Sequence, residues 1–357
     1  MSLTVDSSTP ASSDVLTSLR SVADTRGLGD LAARLADLSD LVRWDMKDLE
    51  KALETVPYEG NSVHQSAKHL LGQGGKRLRP MCVALAARVG HGFGAEAREL
   101  GVAVELVHCA TLLHDDVVDV SDQRRGAPAA RTLFGNAASI FAGDWLLVEA
   151  LRRVRRVGVP DTLERLLDII DEMILGEALQ LENRGRLDTR RETYFQVVEG
   201  KTAALFRWAM YAGGKAGGLP SEVCTGLEGF GRHLGVGFQL VDDLLDYAGD
   251  SAVTGKALFT DLREGKMTYP LIVAQEREPV VQRILEEIIA LPENEAPSPA
   301  LRESLLAALR RTGALDATRS LAHEHAEKAA ACLSGLPDSR AKSALLTVAK
   351  ATVHREA

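Results

Sequence analysis

The chain has 357 residues, 45% of them hydrophobic, which is enough to bury a large core in one domain or two. A net charge of −8 and a pI near 5.7 argue against a general nucleic-acid binder. Cys82, Cys109, Cys224 and Cys332 form no C-x-x-C pair, no basic-then-apolar leader opens the chain and no apolar run reaches membrane-spanning length, so a cytoplasmic protein with free thiols is expected.

Residues 1 to about 27 are rich in Ser, Thr, Asp and Gly without clear periodicity and read as a loose extension; residues 28–357 read as a single domain. From Leu28 onward the pattern is helical. Leu31, Leu35, Leu38 and Leu41 recur at spacings of three and four, as do Leu301, Leu305, Leu306 and Leu309. Alternating β-branched runs are absent and aromatics are only 4%, which points to an all-α bundle. Gly, Pro, Asn and Asp cluster at 72–80, 124–128, 184–189, 213–220, 249–265 and 291–299, dividing the chain into about ten to thirteen helices.

In chain order, the first chemical signal is Gly74-Gly75-Lys76-Arg77-Leu78-Arg79-Pro80, a glycine pair with three cations before a helix start. Glycines let backbone N–H groups approach an anion, and the cations complete a phosphate cradle. The next is Asp115-Asp116-Val117-Val118-Asp119, preceded by His108 two helical turns earlier on a similar face. At about 100° per residue Asp115 and Asp119 project about 40° apart, with Asp116 beside them. Three carboxylates among apolar neighbours are costly to desolvate unless a cation neutralises them. One such cluster is as readily a solvated acidic face, but Asp242-Asp243-Leu244-Leu245-Asp246 repeats it, and two copies suggest Mg²⁺, which prefers oxygen ligands and bridges to phosphates.

Arg124 and Arg125 follow the first cluster closely enough to grip the outer oxygens of a metal-bound diphosphate. Lys201 and Thr202 add an ammonium and a hydroxyl inside an apolar helical run, Gln239 places an amide a turn before the second cluster, and Lys256 and Lys266 stand in a loop suited to closing over a charged ligand.

Taken in order, Gly74 to Pro80, Leu112 to Gly126, Gly176 to Glu182, Gly200 to Thr202, Phe238 to Tyr247 and Gly265 to Pro270 resemble the trans-polyprenyl diphosphate synthases, the head-to-tail prenyltransferases. The likeness runs from about residue 55 to the C-terminus. It implies the isoprenoid-synthase bundle around a deep central cavity, a homodimer, and two aspartate motifs facing each other at the cavity mouth. It further implies three Mg²⁺ ions, two on Asp115 and Asp119 and one on Asp242, with Asp116, Asp243 and Asp246 helping through waters or hydrogen bonds. Lys76, Arg79, His108 and Arg125 resemble the isopentenyl diphosphate site; Arg124, Lys201, Thr202, Gln239, Lys256 and Lys266 resemble contacts to the allylic diphosphate. Trp145 and Ala257 depart from the common pattern, where Tyr and Pro are frequent, and both concern packing or loop shape.

The implied reaction ionises an allylic C–O bond, lets the double bond of isopentenyl diphosphate attack the resulting cation, and passes the lost proton to released pyrophosphate. On a helix, Ala110 lies about 7 Å below Asp115. In this family a bulky residue at that level resembles a floor giving short products, whereas Ala110, Thr111 and Val107 are small or modest, so a long-chain product of roughly C30 to C50 is expected. A farnesyl or geranylgeranyl diphosphate synthase is the alternative within the class. The second aspartate motif argues against a terpene cyclase, and the intact motifs argue against a noncatalytic subunit of a heteromeric synthase.

Overall fold

The computed structural model describes residues 15–25, 27–248, 259–292, 295 and 297–355. The chain runs through α1 (Val15–Thr25), α2 (Gly29–Glu54), α3 (Ser62–Gly72), α4 (Leu78–Val89) and α5 (Ala95–Val118) to a small hairpin of β1 (Gln123–Arg124) and β2 (Ala127–Pro128). There follow α6 (Ala130–Phe134), α7 (Asn136–Val157), α8 (Thr162–Glu182), α9 (Arg191–Val198), a π-helical turn (Glu199–Ala203), α10 (Ala204–Ala216) and α11 (Ser221–Ala248). The last part comprises α12 (Thr260–Arg263), α13 (Tyr269–Arg277), α14 (Val281–Ile289), α15 (Pro299–Arg311), α16 (Ala314–Cys332) and α17 (Arg340–Val353). These outnumber the expected ten to thirteen because one-turn pieces such as α6 and α12 are helices in their own right.

The leucine spacing in α2 produces the face it implies: Leu31, Leu35, Leu38, Val42, Leu49 and Leu53 are all buried. α5 is buried on every side from Leu100 to Val107, as befits a helix that is apolar all round, and packs against α2, α4, α7 and α10. Helix starts follow local chemistry. The Asn61 side chain accepts from His64 N at the head of α3, and Ser298 and Ser339 do the same for Leu301 N and Lys342 N in α15 and α17. The 213–220 break begins later than expected: Gly213 and Gly214 belong to α10, where a Cβ on Gly213 would meet Val83 O at 2.4 Å. Those glycines serve close helix packing and not a turn.

The expectation of a loose segment over residues 1–27 fails for 15–25. Leu16 and Ala23, seven residues apart, are buried against α2, and the Ser and Thr between them conceal that period in the sequence. Residues 1–14 lie outside the described residues.

Two apolar cores fill the bundle, and α11 joins them. Leu227, Phe230 and Leu234 belong to the first, around α4, α5 and α10; Val236, Leu240 and Tyr247 belong to the second, around α13 to α16. Both acidic motifs thus sit at the C-terminal ends of long helices, α5 and α11. Exposed carbonyls put partial negative charge there, so carboxylates at these places need cations more than they would elsewhere on a helix. Among the described residues no helix is long and apolar enough to cross a membrane.

Candidate active site

Asp115 and Asp116 occupy the last turn of α5, and Asp119 closes it, its N–H donating to Asp115 O at 2.8 Å. Burial pushes the Asp115 carboxyl up, and the Lys201 ammonium, 3.8 Å away, opposes that. Lys201 also pairs with Glu177 of α8 at 2.5 Å. Asp116 is fully buried and accepts from Arg124 Nε and Nη2 at 2.8 and 2.5 Å, both on Oδ1, while its Oδ2 has no hydrogen-bond partner among the described residues. Asp119 accepts from Arg184 Nη2 at 3.1 Å and from Lys266 Nζ at 3.3 Å. Burial works against the Lys266 charge, but Glu264 and Asp119 outweigh it and hold the ammonium above its ordinary range.

On α11, Asp242 is partly exposed and pairs with Arg355 at 2.8 Å. Asp243 is buried and accepts three hydrogen bonds: Tyr194 Oη at 2.6 Å, Gln239 Nε2 at 2.9 Å and Tyr269 N at 3.2 Å. Burial and the nearby Asp261 push its carboxyl up to about 7, against those three donors. Asp246 accepts from Thr260 N at 3.1 Å and so ties the start of α12 to the end of α11.

The π-helical turn links the two motifs. Lys201 reaches Asp115, and Thr202, the next residue, donates to Gln239 Oε1 at 3.0 Å, with Gln239 bonded in turn to Asp243. An extra residue in a helical turn rotates successive side chains to new faces, and such insertions favour functional sites. A cavity of about 170 Å³ lies beside this turn, lined by Tyr194, Lys201, Thr202, Gln239, Asp243 and Lys266 among others.

The basic pocket is built from stacked groups. The Arg79 guanidinium lies 4.6 Å from the Phe206 ring centre, Arg355 lies 3.8 Å from that of Phe238, and the two rings are 5.7 Å apart. Among the described residues both arginines bury an Nε without a partner, and burial lowers the affinity of the Arg79 guanidinium for its proton. Burial, followed by Arg79, Arg125, Arg77 and Arg124, holds His108 well below its ordinary range, so its imidazole is neutral. Arg125 lies so close over the glycine loop that a Cβ on Gly75 would meet its Nη2 at 2.9 Å. Lys76 stands exposed beside them.

Arg77 departs from the expected cradle of three cations. It takes a left-handed φ of 47° and turns inward, pairing with Glu50 at 2.8 Å and Glu105 at 2.5 Å, because a buried guanidinium and the buried Glu105 need each other. It anchors the loop, and so does not point outward with Lys76. Lys256 lies outside the described residues. Val107 and Ala110 are buried along α5, and Thr111 donates to His108 O at 2.8 Å.

The polyprenyl synthetase family model matches residues 61–305. The chain belongs to the polyprenyl synthetase family. It is 38% identical to the octaprenyl diphosphate synthase of Escherichia coli strain K12 over 324 residues, covering 90% of this chain and 99% of that protein. A polyprenyl synthase from Caulobacter crescentus, crystallised with calcium and isoprenyl diphosphate, superposes with a TM-score of 0.83 at 35% identity, covering 90% of this chain and 98% of that one. A decaprenyl diphosphate synthase from Rhodobacter capsulatus gives 0.82 at 35% identity, with 90% and 98% covered.

For a polyprenyl synthetase the question is whether these residues fit a divalent cation. Among the described residues no three carboxylate, imidazole or thiol groups form a ready-made cage. Mg²⁺ does not require one: it takes one or two carboxylates and keeps waters or substrate phosphates for the rest of its shell. Hard oxygen donors at two helix C-termini, with the buried Asp116 Oδ2 unpartnered beside them, fit that mode. Four residues of this polyprenyl synthetase's site escaped the sequence reading: Glu177, Arg184, Tyr194 and Arg355. Tyr194 and Arg355 come from segments far from either acidic motif, and only the position of Glu177 inside the Gly176 to Glu182 segment gave any hint of them.

Proposed function

We propose that this polyprenyl synthetase is a long-chain trans-prenyl diphosphate synthase, carried by one domain and working as a cytoplasmic homodimer, that condenses isopentenyl diphosphate with an allylic diphosphate. The observation that carries this reading is the Lys201-Thr202 link: Lys201 reaches Asp115 of the first motif, and Thr202 bonds to Gln239, which bonds to Asp243 of the second. Asp115 and Asp119 would hold Mg²⁺ from one wall and Asp242 from the other, three ions in all. When bound, the metal supplies positive charge to the diphosphate oxygens.

The chain's own groups do the rest. Lys201, Lys266 and Arg124 direct donors to the region where negative charge grows as the allylic C–O bond breaks and its electron pair leaves with the diphosphate. Lys76, Arg79, Arg125 and the neutral His108 orient isopentenyl diphosphate, with the stacked Arg355 as a further donor. Its double bond then attacks the allylic carbon, and the released diphosphate takes the proton that is lost. The Thr202 hydroxyl and the Gln239 carbonyl oxygen present lone pairs to the cation, and their mutual bond with Asp243 fixes that orientation.

Product length is expected to follow from Ala110 and Val107, small or modest side chains buried on α5 where a bulky residue would form a floor. Dimerisation is supported by apolar side chains exposed along two consecutive helices: Ile140, Phe141 and Val148 on α7, Leu167, Ile174 and Leu175 on α8. Incubation with Mg²⁺, isopentenyl diphosphate and farnesyl diphosphate, followed by sizing of the dephosphorylated lipids, tests the reading. Products of roughly C30 to C50 that vanish on chelation are expected, a length consistent with the small residue Ala110 about 7 Å below Asp115; no turnover with any allylic primer overturns it.

A further inference from the structure

Arg184 belongs to none of the motifs, yet it makes the most direct contact between the two loops at the cavity mouth. Its Nε donates to Glu264 O at 2.8 Å and its Nη2 to Asp119 Oδ1 at 3.1 Å. Beside it Gly185 N donates to Gly265 O at 2.8 Å. The two turns touch through backbone: Gly265 has φ +75°, and a Cβ there would lie 2.7 Å from Gly185 N. Lys266, the next residue, donates to the other oxygen of Asp119. Each oxygen of this carboxylate therefore already holds a cation, one from each loop.

A metal ion arriving on Asp119 cancels the negative charge that holds the guanidinium there. A diphosphate arriving with it offers closely spaced oxygens, the geometry a planar guanidinium matches best. The Arg184 side chain is about one-third exposed and so has room to swing. We propose that Arg184 is an exchange residue: it neutralises Asp119 in the empty site and transfers to the allylic diphosphate on loading. Throughout, its Nε stays tethered to Glu264 O, so the 183–190 and 264–268 segments, already joined through backbone, follow the guanidinium to the ligand as one unit.

This rests on the prenyl synthase reading, and the test separates the two. Calorimetric titrations of wild type, Arg184→Gln and Arg184→Lys use Mg²⁺ alone, then a non-ionisable thio analogue of farnesyl diphosphate with Mg²⁺ present. Arg184→Gln removes a competing cation, so Mg²⁺ alone binds several-fold more tightly; it also removes a diphosphate donor, so the analogue binds about tenfold more weakly. Arg184→Lys restores wild-type affinity for Mg²⁺ alone, since it keeps the charge, but only part of the analogue affinity, since it lacks the fork and the Nε tether. A merely structural role would weaken both in Arg184→Gln, and that result overturns the proposal, as does an analogue affinity unchanged in that variant. Should wild type bind neither probe, the prenyl synthase reading itself fails.

Discussion

The Tyr194 hydroxyl donates to Asp243 Oδ2 over 2.6 Å, and through Asp243, Gln239 and Thr202 it ends a chain of hydrogen bonds that begins beside Lys201. Tyr194 is buried, and its ring packs on Phe195 and Tyr269. Tyr194→Phe keeps that packing but leaves Asp243 Oδ2 with the Tyr269 N–H alone. A buried carboxylate that loses a donor destabilises the fold by about 1–3 kcal/mol, so denaturant melts of the metal-free protein should show a loss in that range. Because Gln239 is held by the same carboxylate, kcat should fall several-fold as well. A variant that melts and turns over like wild type would show that this chain of bonds is not what fixes Gln239.

Gly176 and Gly200 let α8 and the π-helical turn meet backbone to backbone. A Cβ on Gly200 would stand 2.8 Å from Glu172 O and 3.1 Å from Gly176 Cα; one on Gly176 would stand 3.0 Å from Lys201 N. Gly200→Ala must push the turn off α8, carrying Lys201 away from Asp115 and Glu177. Overpacking costs about 1–3 kcal/mol of stability. Displacing a catalytic group by an ångström costs on the order of 100-fold in rate, so activity should fall by far more than the fraction unfolded accounts for. Thermal melts alongside kcat/KM measure the two effects separately, and a purely proportional loss would count against the placement of Lys201.

The parts of the site that could be read from sequence are those whose signal is local. Asp115 to Asp119 and Asp242 to Asp246 announce themselves by charge inside apolar helices, and Gly74 to Pro80 by a glycine pair among cations. Where a side chain's partner lies far along the chain, spacing says nothing. Arg77 looks like any other cation of its loop, and only the fold reveals Glu50 and Glu105 waiting for it, 27 and 28 residues away. Arg355, 117 residues from Phe238 and close to the C-terminus, carries no local mark at all. The π-helical turn is equally silent, because Glu199 to Ala203 has a composition that an α-helix accepts. The all-α architecture was readable because leucine periodicity is written in helices such as α2 and α15, and α1 escaped because its buried positions are few and set among Ser and Thr.

Ala110 is buried on α5 at about 7 Å from the level of Asp115, and Val107 lies nearly one turn deeper. A tail growing along this helix meets position 110 first. Ala110→Tyr should therefore give the shortest products, Val107→Phe intermediate ones and wild type the longest, with the first condensation onto a short primer little affected in either variant. Chromatography of the dephosphorylated products reads the order directly. Identical product lengths in all three proteins would place the tail elsewhere.

Where α11 meets α16, His233 Nδ1 and His325 Nδ1 lie 3.2 Å apart, and Phe195 stacks against His325. Burial, then His233, Lys328 and Arg232, push His325 down to about 4. Burial, Arg232 and Lys328 also lower His233, with Glu199 opposing. In the folded protein both rings are thus neutral at pH 7, whereas an unfolded histidine titrates near pH 6.5. Above about pH 6.5 neither state takes up the proton and this pair leaves stability level. As the pH falls from there towards 4, the unfolded chain gains a proton that the folded His325 refuses, so stability declines across that window and levels off below it. Removing the group removes its share of the slope. The melting temperature of His325→Gln should consequently fall less than that of wild type between pH 6.5 and 4, the two curves converging towards the acid end. Parallel curves through that interval would mean that His325 is charged in the folded state and that the α11 to α16 contact tolerates it.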